Sequence, residues 1–159
     1  MKKLLAIAFL VIGMMVNAQK SEYFTISLAV DPNATIKENS PNLVAELEYV
    51  NNLIYIKATT QVLPDLEGGY WDFGGAGGLN IHLNRWKTSR AYAGGRLGII
   101  KGDGNSYPLA GFEGGVDFDV TDSMFIGVRG TGDYREDFEF WGGEAEMRYS
   151  GFLRIGFKF

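Results

Sequence analysis

The feature that most constrains the fold is an alternation of apolar and polar residues that runs to the end of the chain. In the segment 144–159, EAEMRYSGFLRIGFKF, odd positions such as Leu153, Ile155 and Phe157 are apolar, whereas Arg154 between them is charged. A period of two is the periodicity of a β-strand with one apolar and one polar face. Such a strand would be much longer than the usual five or so residues of globular proteins, and it is long enough to cross a bilayer.

The same alternation divides the rest of the chain into further candidate strands. The eight predicted strands are 23–31, 43–50, 53–63, 70–83, 90–101, 107–120, 124–135 and 144–159. Short connections at 51–52, 84–88 and 121–123 alternate with longer, mostly polar ones at 32–41, 64–68, 102–106 and 136–143. Eight antiparallel strands would place both termini and the short connections at one end, an asymmetry typical of transmembrane barrels of outer membranes.

The N-terminus has the three parts of a secretory signal peptide. Lys2 and Lys3 precede an apolar run over residues 4–16, and Val16 and Ala18 stand at the −3 and −1 positions of a cut before Gln19. The run has 13 residues, fewer than the roughly 20 that a transmembrane helix needs, so a retained anchor is the less favoured alternative. The sequence therefore predicts a cleaved signal peptide over 1–18 and one domain over 19–159.

Composition narrows the possible chemistry. The chain has no cysteine, which excludes disulfides, thiolate metal sites and a lipoprotein anchor. No segment after the signal peptide offers about 18 consecutive apolar residues, so no helical membrane span is expected. With 22 glycines, 14% aromatic residues and a net charge of −4, the chain has the composition of strands and turns and gives no indication of a nucleic-acid partner.

Alternation alone does not decide which face meets a core and which meets its surroundings. A soluble, secreted, lipocalin-like ligand-binding barrel would show the same period with its faces reversed. The long terminal strand, the unequal connections and the aromatic residues near strand ends favour the membrane version. Those aromatic residues are Tyr49, Trp71, Trp86, Tyr134, Trp141, Phe157 and Phe159.

Taken together, the signal peptide, the eight alternating strands and the closing FLRIGFKF resemble the small eight-stranded outer-membrane barrels, the OmpX-like proteins and the OmpA transmembrane domain. The resemblance implies an eight-stranded antiparallel up-and-down transmembrane β-barrel in the outer membrane of a Gram-negative-type bacterium, in contact with lipid and lipopolysaccharide. In that family the last strand is read by the barrel-assembly machinery. The resemblance assigns this assembly signal to Leu153, Ile155, Phe157 and Phe159.

With the apolar face outward, charged residues would line the lumen. The predicted lumen network is Glu46, Glu48, Lys57, Asp72, Arg96, Glu113, Asp117, Arg129, Asp133, Glu146, Arg148 and Arg154, with His82, Asp119 and Lys158 on the same face. An eight-stranded barrel is only just wide enough to be filled by its own side chains, so these charges are expected to pair and close the lumen. A narrow ion path is the alternative.

Candidate catalytic residues are sparse, and no metal or cofactor motif is present. The one histidine, His82, is expected beside the short connection at 84–88, away from the longer loops. The glycines of FGGAGGLN fall on both faces of one strand and indicate sharp curvature rather than a phosphate loop. An acidic group at 133–144 is expected to be solvated, with a divalent-cation site as the alternative. We expect a non-catalytic barrel with a structural or surface-interaction role and an unidentified surface partner.

Overall fold

The computed structural model describes residues 22–39, 41–63, 70–102, 104–135 and 146–159. The described residues form a closed barrel of eight antiparallel strands in sequence order, with the last strand pairing the first. The strands are β1 (Tyr23–Val30), β2 (Leu43–Val50), β3 (Ile54–Leu63), β4 (Tyr70–His82), β5 (Ser89–Gly102), β6 (Asn105–Asp119), β7 (Met124–Arg135) and β8 (Glu146–Lys158). The predicted all-β, up-and-down barrel is confirmed.

One predicted loop contains a short helix, α1 (Pro32–Glu38). Asp31 caps it, because one carboxylate oxygen accepts hydrogen bonds from the backbone N–H groups of Asn33 and Ala34 at 2.9 and 3.0 Å. Proline at the first helical position fits this start. Apart from α1, no helix was found in the described residues, and none there could span a membrane. The predicted signal peptide and the connections at 64–68 and 136–143 lie outside the described residues.

The two faces of the barrel wall are oriented as the membrane version requires. On β1, Phe24, Ile26 and Leu28 point outward and are about half exposed, whereas Thr25 and Ser27 face the lumen and are buried. The other strands repeat this arrangement, with exposed apolar residues outside and buried charges inside. The lipocalin-like alternative is therefore wrong in its orientation, since a soluble barrel packs its apolar face inward.

The barrel closes where the two ends of the chain meet. β1 pairs with β8 from Thr25↔Lys158 to Val30↔Leu153. Phe24 and Phe159 exchange two backbone hydrogen bonds of 3.0 Å, and their rings stack with centroids 6.2 Å apart. We call this end, with the termini and the short connections, the turn end, and the opposite end the loop end.

The strands differ in length around the barrel. β1 and β2 have eight residues each, whereas β5 and β6 have 14 and 15. The first seven residues of β8, Glu146–Phe152, extend beyond the end of β1 towards the loop end and pair only with β7 among the described strands. The wall is consequently taller over β4–β7 than at the seam between β1 and β8.

Glycines in the tall part of the wall face both ways, as predicted. Inside, the backbones approach closely: a Cβ added at Gly78 would stand 2.1 Å from the carbonyl oxygen of Ala93. A Cβ at Gly94, also inside, would stand 2.3 Å from the carbonyl oxygen of Gly77. No side chain fits at either position, so the narrow, curved wall requires glycine there.

Candidate functional site

The candidate site is the set of charged side chains that alternate positions direct into the lumen. Five cations and six carboxylates in the described lumen are buried: Lys57, Arg90, Arg96, Arg129, Arg154, Glu46, Glu48, Asp72, Glu113, Asp117 and Asp133. Each lies on a strand whose neighbouring residues point outward, so the position is set by the pleat of the sheet.

Arg154 on β8 is the centre of this group. Its Nη2 atom lies 2.8 Å from a carboxylate oxygen of Glu46 and 3.2 Å from one of Glu48. Its Nη1 atom lies 3.2 Å from Asp117 and donates a hydrogen bond of 2.8 Å to the hydroxyl of Tyr92. One guanidinium thus joins β2, β5, β6 and β8 across the lumen.

Arg90 continues the group towards the turn end. Its Nη2 atom lies 2.7 Å from Glu48 and 2.7 Å from Asp117, the same two carboxylates that Arg154 contacts. Each of these carboxylates is therefore shared by two guanidinium groups. Shared partners of this kind hold both arginine side chains in one geometry.

The group also continues towards the loop end. Arg129 is ion-paired with Glu46 and lies 3.8 Å from Glu113, whose other oxygen lies 2.8 Å from the Nζ atom of Lys57. These contacts connect eight side chains, four cations and four carboxylates, into one group of balanced charge. We call it the lumen network: Lys57, Arg90, Arg129, Arg154, Glu46, Glu48, Glu113 and Asp117.

Aromatic rings fill the space between these charges. The ring of Tyr92 packs edge-on against Tyr55, with centroids 5.2 Å apart. Lys57 Nζ lies 4.8 Å from the centre of the Tyr92 ring, and the guanidinium carbons of Arg90 and Arg154 lie 5.0 and 5.6 Å from it. Cations at such distances from a ring face are attracted to it, so Tyr92 both fills and stabilises the network.

A second layer lies nearer the loop end. Arg96 Nη1 is 2.6 Å from a carboxylate oxygen of Asp133, and both residues are buried. Beyond this pair, Ile100 and Leu109 form a buried apolar cluster with Tyr107 packed against it. The lumen is thus occupied at successive levels along its axis.

Most of the predicted lumen residues are where the sequence placed them. Ten of the twelve are buried: Glu46, Glu48, Lys57, Asp72, Arg96, Glu113, Asp117, Arg129, Asp133 and Arg154. The prediction is wrong for Glu146 and Arg148, which are solvent-exposed. They lie on the part of β8 that extends past β1 and pairs only with β7 among the described strands.

The turn end holds the remaining predicted residues and one that was missed. His82, Asp119 and Lys158 are partly exposed there, and Lys158 Nζ lies 2.5 Å from Asp119. The sequence prediction omitted Arg90, although it has the same parity as Arg96 on β5 and stands at the edge of the predicted strand. Carrying the alternation through to the first residue of that predicted strand would have found it.

The predicted assembly residues form an exposed apolar row on the outside of β8. Leu153, Ile155, Phe157 and Phe159 all point outward and are about half exposed or more. Their role in assembly stays a prediction. Within the described ranges, no group of three histidine and carboxylate residues could hold a metal ion. Of the predicted acidic group at 133–144, only Asp133 lies inside the described residues.

Comparisons with known proteins agree on the fold. No protein-family model and no curated protein sequence matches the chain. Among solved structures, the N-terminal β-barrel domain of Pseudomonas aeruginosa OprF matches with a TM-score of 0.60 at 13% identity, over 89% of this chain and 100% of that one. The Yersinia pestis outer membrane protein Ail, whose structure was determined in a phospholipid bilayer nanodisc, matches with a TM-score of 0.56 at 12% identity, over 89% of this chain and 100% of that one.

Neisserial surface protein A is similar as well, with a TM-score of 0.52 at 13% identity, over 88% of this chain and 97% of that one. All three matches cover nearly the whole of the solved barrels. The resemblance predicted from the sequence is confirmed at the level of the fold, which is that of small eight-stranded transmembrane barrels.

Proposed function

We propose that this chain is a non-catalytic barrel of the bacterial outer membrane, with a lumen closed by its own ion pairs and a structural or surface-interaction role in the cell envelope. The observation that carries the proposal is the lumen network, a group of balanced charge buried inside a wall whose outer face is apolar. A protein arranged in this way has the polarity of a bilayer-spanning barrel.

The outer face supports the membrane location. Exposed aromatic residues stand at both ends, with Trp86 and Phe159 at the turn end and Trp71 and Tyr149 nearer the loop end. Aromatic belts at both interfaces are typical of transmembrane barrels. The predicted signal peptide and the similarity to Ail, an outer membrane protein solved in a bilayer, point the same way.

The closed lumen is supported by burial and by charge balance. The side chains of Lys57, Glu113, Arg129 and Arg154 have no exposed surface. Buried charges are stable when paired and costly when unpaired, so a network of this kind favours staying closed over admitting ions. Each of its carboxylates is ion-paired, and His82 lies at the turn end. Both observations support a role without catalysis.

The proposed partners follow from the location. The apolar outer face would contact outer-membrane lipid and lipopolysaccharide, and the exposed row on β8 that ends at Phe159 would be the segment recognised by the barrel-assembly machinery. A surface-interaction role would use the loop end, which faces outward when both termini are periplasmic.

The experiment is fractionation of a Gram-negative host that expresses the full chain. We expect the protein in the outer-membrane fraction, extracted only by detergent, with a folded form that shifts in gel migration on heating. Recovery as a soluble periplasmic protein would overturn the proposal. Planar-bilayer recordings of the purified protein should show no channel events. Reproducible single-channel steps would mean that the lumen conducts, and the narrow ion path would then be the correct interpretation.

A further inference from the structure

A groove runs along the outside of the wall formed by β3–β6. Its volume is about 530 Å³, its floor is made by Gly75, Gly77, Gly95 and Ala110, and Ile56 and Leu97 stand at its sides. These six residues lie at outward positions of their strands, so the groove opens on the apolar outer face. The intervening inward positions Lys57, Ala76, Arg96 and Gly111 also border it.

The glycines of the floor are not required by packing. A Cβ added at Gly75, Gly77 or Gly95 would have its nearest neighbour at 3.6, 3.5 or 3.9 Å, which is ordinary contact distance. The inward Gly78 and Gly94, by contrast, leave no room for a side chain. Glycine weakens a strand interior, and most other outward positions carry large apolar residues, although Gly130 and Gly151 are also outward and open. The fold alone does not explain why side chains are missing here.

A cation, Lys101, stands above the groove, towards the loop end. It is exposed, is paired in register with Trp71, and holds its Nζ atom 5.7 Å from the centre of the indole ring. The indole N–H donates a hydrogen bond of 2.7 Å to Thr60, which fixes the ring. Within the described parts of the chain, no carboxylate forms an ion pair with Lys101.

The separation between the cation and the groove suits a lipid. Lys101 and Gly95 are both outward positions of β5, and the outward positions of Leu97 and Ile99 lie between them. An extended stretch of this length reaches from the headgroup region deep into one leaflet of a bilayer. The exposed side chains of Phe73 and Ile99 provide apolar surface along the way. Lys101 and Trp71 do not line the groove itself. A positive charge beside tryptophan at one end, with exposed apolar side chains and then the groove below it, complements a phosphate headgroup and an acyl chain.

We propose that this groove binds one lipid of the outer leaflet, with an acyl chain lying over Gly75, Gly77 and Gly95 and the phosphate at Lys101. The inference rests on the proposed membrane location. A lipid is preferred to a second copy of the chain as the occupant, because one lipid supplies both an acyl chain for the groove and an anion for Lys101.

The test is native mass spectrometry of detergent-purified protein titrated with dipalmitoyl phosphatidylglycerol. We expect the wild type to retain one lipid. Gly77→Leu, which fills the groove, and Lys101→Gln, which removes the charge, should each weaken retention by about tenfold. Two matched controls should bind as the wild type does. Gly130→Leu fills an outward glycine position outside the groove, where a Cβ meets nothing closer than 3.9 Å, and Lys37→Gln removes an exposed cation on α1.

Equal lipid retention by all five proteins would overturn the site. Loss of a dimer peak in Gly77→Leu, with no lipid retained by the wild type, would assign the groove to a second copy instead. Equal retention of dipalmitoylglycerol, which lacks phosphate, would overturn the role of Lys101. Each variant is first checked for outer-membrane fractionation and heat-modifiable migration. If the wild type passes that check and binds no lipid, only the groove proposal fails; if it is recovered as a soluble protein, the proposed function fails as well.

Discussion

Gly77 and Gly78 are adjacent in β4, yet the two faces of the wall treat them differently. Gly78 faces the lumen, where a Cβ would stand 2.1 Å from a carbonyl oxygen, whereas the nearest atom to a Cβ at Gly77, outside, is 3.5 Å away. Inside, the diameter of the barrel dictates the residue. At Gly77, outside, the wall imposes no such limit, so packing within the barrel does not dictate the residue there.

Leu153 and Arg154 on β8 show the same contrast with large side chains. Leu153 is about half exposed on the apolar outer face, and Arg154 is buried at the centre of the lumen network. The inner face is a set of mutually dependent residues, because each charge needs its partners. The outward residues are nearly independent of one another, and the contribution of each to stability depends on its depth in the bilayer.

The largest effect is expected at the inner face. Arg154→Ala removes the cation shared by Glu46, Glu48 and Asp117 and should lower the free energy of unfolding by about 3–5 kcal/mol. Urea unfolding in detergent micelles measures this change. Arg148→Ala, at an exposed position of the same strand, should change stability by about 1 kcal/mol or less, because contacts of exposed charged side chains contribute little. A loss below about 1 kcal/mol for Arg154→Ala would mean that the network contributes little.

The next effect concerns the outer face. Ile155→Arg should destabilise the inserted barrel by about 2–4 kcal/mol, because outward-facing Ile155 pairs with Leu28 inside the span that β1 and β8 share. Tyr149→Arg, outward on the same strand but nearer the loop end, should cost only about 0–1 kcal/mol. Unfolding titrations in lipid vesicles give both values. Equal costs at the two positions would show that the outer face does not sense depth, contrary to a transmembrane placement.

The smallest effect compares the two glycines directly. Gly78→Ala should cost about 1–3 kcal/mol, because its methyl group overlaps the backbone of β5. Gly77→Ala should stay within about 0.5 kcal/mol of the wild type. The measurement is again urea unfolding, with the two single variants side by side. Similar losses of unfolding free energy in the two variants would mean that packing restricts the inner and outer faces equally at this point of the wall.

Much of this arrangement could be predicted from the sequence, because a two-residue period predicts whether each side chain faces the lumen or the outside. The predicted bounds of β2 and β7 agree with the structure at both ends. The predicted inward orientation also agrees with the burial of residues as distant in sequence as Lys57 and Arg129. Parity does not state where the wall ends, which is why Glu146 and Arg148 were placed in the lumen.

Other features depend on information that the alternation does not contain. The start of the short helix α1 is set by Asp31, whose side chain caps it through local hydrogen bonds. A search for hydrophobic periodicity does not detect such a cap. The partners inside the lumen depend on how far the strands are shifted along one another. The contact between Lys57 and Glu113 joins residues 56 positions apart, and neither strand alone predicts it.

The short first strand has a consequence for the surrounding bilayer. β1 has eight residues, fewer than the roughly 9–11 that a tilted strand needs to cross the hydrocarbon. Beyond it, the β1-facing backbone groups of Glu146–Phe152 have no strand partner among the described residues, and hydrocarbon does not tolerate unpaired backbone groups. In a bilayer, the hydrocarbon would then end near the Val30↔Leu153 pair on this side, while the taller strands opposite permit a greater thickness. This hydrophobic mismatch would thin the bilayer at the seam and tilt the barrel axis from the membrane normal.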